Sequence, residues 1–149
     1  MNMISVKLLL VLSKTHNFDS KSIDFVLSFP KSDLDVDIWV ELPLGFAPQD
    51  DPILKLNNNI YGLKQGSYNW FEKLNKYLMD RYSRPSDIYS CFYLKRGMIV
   101  LTYVDYCIIV GNSMNAIYEF VHSMQYVTEN FVLTDGFGID NLWGIEIKY

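Results

Sequence analysis

The sequence feature that most restricts the fold is a pair of short apolar runs separated by one carboxylate, in the stretch "LTYVDYCIIVG" at residues 101–111. Residues 98–103 and 107–110 are rich in Ile, Val, Leu, Thr and Tyr, the composition of buried strands. Because so few residues separate them, they predict a β-hairpin with Asp105 at or near its turn. Aspartate is common in turns, where its side chain hydrogen-bonds nearby backbone. The local pattern therefore favours a turn residue over a metal ligand and leaves both interpretations open.

Hydrophobic periodicity in the rest of the chain predicts helices and strands that alternate along the sequence. In the second predicted helix, Trp70, Leu74, Tyr77 and Leu78 share one face, which is typical of core packing, and Ser67 is the expected cap. With at least one hairpin in the sheet, the expected fold class is α+β, an antiparallel sheet with helices packed on one face. The predicted helices span about 4–15, 67–82 and 113–126, and the predicted strands span about 21–24, 38–42, 91–95, 131–134 and 142–147, with one or two more within 53–63.

Composition limits the classes of partner and compartment. The formal net charge of −4 gives no general attraction for phosphate backbones, so a nucleic-acid role requires a local basic face or basic neighbours outside this chain. Cys91 and Cys107 lie in apolar runs with no second Cys or His at metal-binding spacing, so we expect free, buried thiols in a reducing compartment.

The first residues of the chain do not have the pattern of a secretion signal. Their apolar core is short, no basic residue precedes Lys7, and no small-residue cleavage site follows. No apolar run approaches the length that crosses a bilayer. We therefore expect a soluble, intracellular protein with no membrane association.

Four stretches, in chain order, carry a resemblance to a known family: "IDFVLSFPKSDLDVDIWVELPLGF", "NIYGLKQGSYNWFEKL", "LTYVDYCIIVG" and "LWGIEI". Together they resemble the palm region of the reverse transcriptase of copia-type retrotransposons over about residues 5–147. The matching motifs are a strand that ends in Asp24, a turn containing Phe29, a P-x-G-F loop at 43–46 and Y-G-L-K-Q at 61–65. Residues 103–106, which read Y-V-D-Y, match the position of the family's Y-V-D-D hairpin. Each motif alone is weak, but their order and spacing are specific.

The resemblance implies a reverse-transcriptase palm-like fold and RNA-directed DNA synthesis by two-metal nucleotidyl transfer. It assigns Asp24 and Asp105 as catalytic residues and as ligands of Mg²⁺ or Mn²⁺. It places Phe25 among the nucleotide-binding residues, with its backbone carbonyl as a further oxygen ligand. The implied partners are an RNA/DNA primer–template and a deoxynucleoside triphosphate.

Two more residues receive nucleotide-binding roles from the resemblance. Phe29 becomes the bulky residue beneath the sugar that excludes a 2′-hydroxyl, and Gln65 contacts the incoming nucleotide or the template. From the residues alone, Phe29 is better explained as an ordinary buried aromatic, whereas Gln65 is equally well explained as a solvated loop amide.

The sequence departs from the family pattern at the hairpin. Tyr106 stands where Y-V-D-D has its second aspartate, which removes a carboxylate that helps to hold two divalent cations close together. Pro30 after Phe29, and Gly66-Ser67 in place of Ser-Pro, are further departures near the implied nucleotide site. We therefore expect catalysis to be impaired.

By the same resemblance, residues 1–149 are a partial reverse transcriptase domain, with a palm, incomplete fingers, and no thumb or ribonuclease H domain. Such a chain is expected in the cytoplasm or in retrotransposon particles. The alternative function is a non-catalytic module that binds nucleic acid or protein and is built on the palm fold.

Overall fold

A computed structural model of the chain describes residues 3–43, 45, 53–81, 84–86, 90–126, 131–135, 141–142 and 145–146. In chain order its elements are α1 (Met3–Thr15), β1 (Asp19–Phe25), a 3-10 helix (Phe29–Lys31), β2 (Trp39–Glu41), β3 (Ile53–Lys55), α2 (Gly66–Arg81), β4 (Arg84–Pro85), β5 (Phe92–Lys95), β6 (Met98–Tyr103), β7 (Tyr106–Gly111), α3 (Met114–Tyr126), β8 (Leu133–Asp135), β9 (Asn141–Leu142) and β10 (Ile145–Glu146). The predicted α+β class and the predicted hairpin are confirmed.

The chain divides into two compact units. The first comprises Met1–Val26 with Lys76–Tyr149, and the second comprises Leu27–Asn75. The first contains a six-stranded sheet in the order β4-β5-β6-β7-β1-β8, together with the β9-β10 pair. The second contains the 3-10 helix, the β2-β3 pair and the first part of α2.

The centre of the large sheet is the β6-β7 hairpin and its neighbour β1. All three strands run antiparallel, with β6 paired to β7 from Met98↔Gly111 to Tyr103↔Tyr106, and β1 paired to β7 from Asp19↔Gly111 to Asp24↔Tyr106. Every residue of β7 after Tyr106 is buried. An unbroken buried run, rather than an alternating one, indicates a strand that is covered on both faces.

Helix α1 covers one of these faces. Val6 and Leu9 form a buried cluster with Leu101, Ile108 and Val110, whose side chains lie on a single face of β6 and β7. The register therefore places α1 against this side of the sheet.

The opposite face packs against α2 and α3. Ile117 of α3 lies so close to Gly111 that a Cβ on this glycine would meet it at 3.4 Å. The Phe25 ring meets Phe131 edge-on, and Phe131 meets Tyr77 of α2 in the same way, with both pairs of ring centroids 5.3 Å apart. The prediction that helices cover one face is therefore wrong for α1, because β6 and β7 are apolar on both faces and both need cover.

The second helix was predicted to within one or two residues at each end. Its apolar stripe of Trp70, Leu74, Tyr77 and Leu78 is buried, as predicted. Ser67 lies inside the helix instead of capping it. The backbone N–H of Asn69 donates to the backbone carbonyl of Gln65 at 2.9 Å, so Gln65 is the residue that precedes the first helical turn.

Several sequence predictions fall on residues that the structure does not describe, or describes only in part. Phe46 of the P-x-G-F loop, and Trp143, Gly144 and Ile147 of "LWGIEI", lie outside the described residues. Cys107 is buried, Cys91 is half-buried and both thiols are free. In the part of the chain that is described, no helix has the length and apolar character that a membrane span requires.

Candidate functional site

Two carboxylates lie at one end of the large sheet, both in the first unit. Asp24 is the penultimate residue of β1 and is paired with Tyr106, the first residue of β7. Asp105 immediately precedes Tyr106 in the hairpin turn, and its backbone carbonyl accepts a hydrogen bond of 2.7 Å from the Phe25 amide. The structure thus brings together Asp24 and Asp105, the two residues that the sequence predicted as metal ligands.

The turn that carries Asp105 has an unfavourable backbone conformation. Tyr103 and Tyr106 close a two-residue turn, and Val104, its first residue, has a φ of +53°. This region favours glycine and is particularly poor for a β-branched side chain. A residue held there costs about 1–3 kcal/mol, and it persists because the ladders on both sides of β7 fix the strand ends.

Electrostatics indicates that the two carboxylates act on each other. Burial raises the pKa of Asp24 above its ordinary value, and the charge of Asp105 raises it further. Burial also raises the pKa of the Cys107 thiol, with smaller contributions from Asp105 and Asp24. This end of the sheet is therefore a place where negative charge accumulates and where a cation would be stabilised.

Tyr106 stands beside Asp24 on the same face of the sheet, because directly paired residues project to one side. Its ring is half-buried and packs against the cluster formed by α1, β6 and β7. A phenol thus occupies the position where the family resemblance expects a second hairpin carboxylate.

The donor set fits one hard divalent cation. Among the described residues, no group of three or more His, Cys, Asp or Glu side chains is placed to hold a metal ion. Asp24 and Asp105 are the oxygen donors that would hold a hard divalent cation such as Mg²⁺ or Mn²⁺. Tyr106 adds no third carboxylate to this donor set.

Phe25 contributes to this site through its backbone alone. Its ring is buried and packs edge-on against Phe131, in the core beneath the sheet. The Phe25 amide holds the Asp105 carbonyl, as described above. Any contact of Phe25 with a nucleotide or a metal ion must therefore involve its main chain.

Phe29 and Gln65, the other predicted nucleotide-binding residues, belong to the second unit. Phe29 is half-buried at the start of the 3-10 helix, and its ring stacks on Tyr61 with centroids 4.8 Å apart and an interplanar angle of 29°. Gln65 is half-buried before the first turn of α2, while the neighbouring Lys64 is exposed. The Phe29–Tyr61 stack joins two of the motifs that were recognised separately in the sequence.

The second unit also contains polar residues that sequence reasoning missed. Asn59 is fully buried, and its Nδ2 donates to the Ser32 carbonyl at 3.2 Å, to Ser32 Oγ at 3.0 Å and to the Asp33 carbonyl at 2.7 Å. Asn69 adds hydrogen bonds to the Asp33 carbonyl at 3.3 Å and to Asp35 Oδ1 at 3.1 Å. The run of three asparagines at 57–59 was a visible signal, but nothing in it indicates which of the three is buried.

The outer surface of α3 forms a groove of about 650 Å³ with aromatic walls. Tyr118 and Tyr126 are 54% and 68% exposed, and His122 lies between them with its ring 4.7 Å from that of Tyr126. The Lys21 ammonium lies 5.3 Å from the centroid of the Tyr118 ring. The groove thus combines stacking surfaces with one cation, Lys21, and one carboxylate, Glu119.

Comparison with known proteins gives consistent matches. The family described as "Reverse transcriptase (RNA-dependent DNA polymerase)" matches residues 1–149. The chain is similar to the retrovirus-related Pol polyprotein from transposon TNT 1-94 of Nicotiana tabacum, with 30% identity over 77% of the chain and 9% of the relative. It is similar to the corresponding polyprotein from transposon RE1 of Arabidopsis thaliana, with 28% identity over 97% of the chain and 10% of the relative.

A third relative is the transposon Ty1-DR1 Gag-Pol polyprotein of Saccharomyces cerevisiae, with 25% identity over 94% of the chain and 8% of the relative. The chain thus spans at most a tenth of the length of these curated relatives. No solved structure matches it.

Proposed function

The chain belongs to the reverse transcriptase family, and on this basis we propose that Asp24 and Asp105 are its inherited metal-binding aspartates and that Tyr106 leaves its polymerase activity impaired. The resemblance to copia-type retrotransposons is confirmed, since the relatives are transposon Pol polyproteins. The ancestral reaction is RNA-directed DNA synthesis on a primer–template with deoxynucleoside triphosphates.

One observation carries this proposal. The register of β1 against β7 and the bond from the Phe25 amide to the Asp105 carbonyl hold the two aspartates at the same end of the sheet. These constraints come from backbone pairing, so they persist whatever side chain occupies position 106. We therefore propose that Asp24 and Asp105 keep the positions of metal-binding residues although the site no longer supports efficient catalysis.

The chemistry assigned to this end of the sheet depends on charge. Reverse transcriptases use divalent metal ions, and a bound ion supplies positive charge for the attacking 3′-oxygen and for the phosphoryl group in transfer. Asp24 and Asp105 are the residues that would hold it. Phe25 keeps the hairpin tip in place through its amide, Phe29 contacts the sugar, and Gln65 contacts the nucleotide or the template.

Tyr106 impairs this arrangement in two ways. It places a phenol where a carboxylate would supply a charged oxygen donor. Its ring also packs into the α1 cluster, which fixes a bulky group beside Asp24. A site that suits one ion but not two should lose orders of magnitude in the rate of nucleotidyl transfer.

The two compact units suggest an assignment to the parts of a reverse transcriptase. We assign the first unit, with its large sheet and the aspartates, to the palm, and the second unit to the fingers region.

Primer extension on an RNA template tests the proposal directly. The unmodified chain, Tyr106→Asp, Asp24→Ala and the control Tyr68→Asp are compared with Mg²⁺ and with Mn²⁺. Tyr68→Asp makes the same chemical change at an exposed tyrosine of α2. We expect extension in Tyr106→Asp alone.

Two outcomes contradict the proposal. Extension by the unmodified chain that disappears in Asp24→Ala would show that one hairpin carboxylate is enough. If no variant extends the primer, residue 106 is not the main cause of the impairment.

The groove on α3 favours a second candidate function, a nucleic-acid-binding module. Exposed aromatic rings and a nearby cation are the features with which proteins bind single strands without base specificity. Fluorescence anisotropy with a single-stranded RNA should then show binding that weakens with salt and with Tyr118→Ala or Tyr126→Ala. Tyr68→Ala, which removes an equally exposed tyrosine in the second unit, is the matched control. Absent or salt-independent binding rejects this candidate.

A further inference from the structure

The second unit is organised around the buried amide of Asn59. The Nδ2 of Asn59 faces two backbone carbonyls, of Ser32 and Asp33, and the hydroxyl of Ser32. Carbonyl oxygens only accept hydrogen bonds, so the amide nitrogen, and not the amide oxygen, must point at them. The orientation of the Asn59 side chain is therefore fixed by its partners.

A chain of hydrogen bonds leads from Asn59 to Phe29. Ser32 Oγ accepts from Asn59 at 3.0 Å and donates to the Phe29 carbonyl at 2.8 Å. The Ser32 amide donates to the same carbonyl at 2.9 Å. Ser32 and Asn59 are both fully buried, so these bonds do not compete with water.

The Phe29 ring is fixed from two other directions. Its face stacks on Tyr61, which lies two residues after Asn59 in the same segment. Its edge lies over Gly66, where an added Cβ would meet Phe29 Cδ2 at 3.4 Å. Asn59 thus joins the backbone that carries Phe29 to the backbone that carries Tyr61.

Asn59 is an unfavourable choice for a purely structural position. Its Oδ1 is buried and has no hydrogen-bond partner in the described part of the chain. An unpartnered buried acceptor destabilises a fold, so the benefit of Asn59 must come from its donors.

We propose that Asn59 is a positioning residue that fixes the Phe29–Tyr61 ring pair and thereby sets the discrimination between deoxyribonucleoside and ribonucleoside triphosphates. This inference rests on the proposed function, which gives Phe29 its contact with the sugar. Asn59 acts through Ser32 and the Phe29 backbone and does not itself touch the nucleotide.

The test uses Asn59→Asp, which keeps the shape of the side chain but replaces its donors by an acceptor that faces two carbonyls. Asn57→Asp is the matched control, because Asn57 is an exposed asparagine in the same run. Ser32→Ala is a milder second variant, since it removes only the hydroxyl that links Asn59 to the Phe29 carbonyl. It keeps the test decisive if Asn59→Asp fails to fold.

Two measurements are made on each variant. The first is the nuclear Overhauser effect between the rings of Phe29 and Tyr61. The second is the affinity for dATP and for ATP in Mg²⁺, measured by calorimetry. In the unmodified chain and in Asn57→Asp we expect the ring contact and a preference for dATP of roughly tenfold, and in Asn59→Asp a weaker ring contact and a preference below about threefold.

The outcomes separate the inference from the proposed function. An unchanged ring contact or an unchanged dATP preference in both Asn59→Asp and Ser32→Ala overturns the inference. An equal loss of affinity for the two nucleotides indicates a structural role alone and also overturns it. If the unmodified chain binds neither nucleotide, the nucleotide-binding part of the proposed function fails, and the ring contact alone decides whether Asn59 positions Phe29.

Discussion

The two compact units hold their candidate functional residues by different means. In the first unit, Asp24 and Asp105 are placed by strand register above a core whose central residues, such as Ile108 and Ile109, are completely buried. In the second unit, Phe29 is placed by a few side-chain hydrogen bonds, while the strands β2 and β3 expose apolar residues such as Trp39 and Leu54.

This difference determines which substitutions leave the functional residues of each unit in place. The backbone hydrogen bonds of a ladder form with most side chains, so the two aspartates keep their positions whatever side chain stands at position 106. A network of single side-chain donors has no such redundancy. One substitution in the second unit can therefore displace the aromatic pair without unfolding the first unit.

The largest expected difference between the units is in the free energy of unfolding. Ile109→Ala in β7 should lower it by about 2–5 kcal/mol, because the side chain is 0% exposed and leaves a cavity. Leu54→Ala in β3 should lower it by less than about 1 kcal/mol, since that side chain is 46% exposed. Urea denaturation measures both, and equal losses would contradict the difference between the units.

A smaller change in the free energy of unfolding is expected from substitutions at the two hairpin tips of the β5-β6-β7 meander. Val104→Gly should stabilise the fold by about 1 kcal/mol, because Val104 has a φ of +53°. Gly97→Ala should destabilise it by about 1–3 kcal/mol, because Gly97 has a φ of +77° and a Cβ there would lie 3.0 Å from the Asn112 side chain. Thermal unfolding of the two variants measures these opposite signs, and destabilisation by Val104→Gly would show that the turn is unstrained.

The smallest expected effect is the pH dependence of stability at Asp24. Burial and, after it, Asp105 raise its pKa above the ordinary value of 3.8. Because its pKa is higher in the folded state, the protonated form of Asp24 favours folding. This contribution to stability is complete below the pKa of the unfolded state and is lost as the pH rises through the pKa of the folded state. Asp24→Asn, which resembles the protonated acid, should therefore raise the melting temperature at pH 7 by a few degrees at most, on the order of what a small gain in free energy produces.

This gain should fall as the pH drops through the unfolded value of 3.8 and be nearly absent at pH 3, where Asp24 is mostly protonated in both states. Asp19→Asn, at the opposite end of the same strand, is the matched control. A gain for Asp24→Asn that is the same at pH 7 and at pH 3 would contradict the predicted repulsion between Asp24 and Asp105.

Several parts of the fold could be predicted because they depend on local patterns. The hairpin, the helix with the buried stripe that contains Trp70, and the α+β class follow from periodicity in short windows, and the structure confirms them. The order of the motifs identified the family, which the comparisons confirm. The convergence of Asp24 and Asp105 was expected from two strand ends, and the structure brings these residues together.

Other parts could not be predicted because they depend on contacts between distant residues. The apolar run 107–110 permits cover on one face or on both, and only the placement of α1 decides between them. The burial of Asn59 depends on Ser32 and Asp33, which lie 27 and 26 residues away along the chain. The inward position of the Phe25 ring likewise depends on Phe131, which no local pattern connects to it.

Binding of Mn²⁺, followed by electron paramagnetic resonance on the unmodified chain, Asp24→Asn, Asp105→Asn and Asp19→Asn, tests most directly whether the two aspartates still form a metal site without a second hairpin carboxylate. We predict one bound ion per chain in the unmodified protein and in Asp19→Asn, and none in Asp24→Asn or Asp105→Asn. Absence of binding in the unmodified chain would contradict the convergence of the two carboxylates on a cation. Two ions of similar affinity would contradict the impairment attributed to Tyr106.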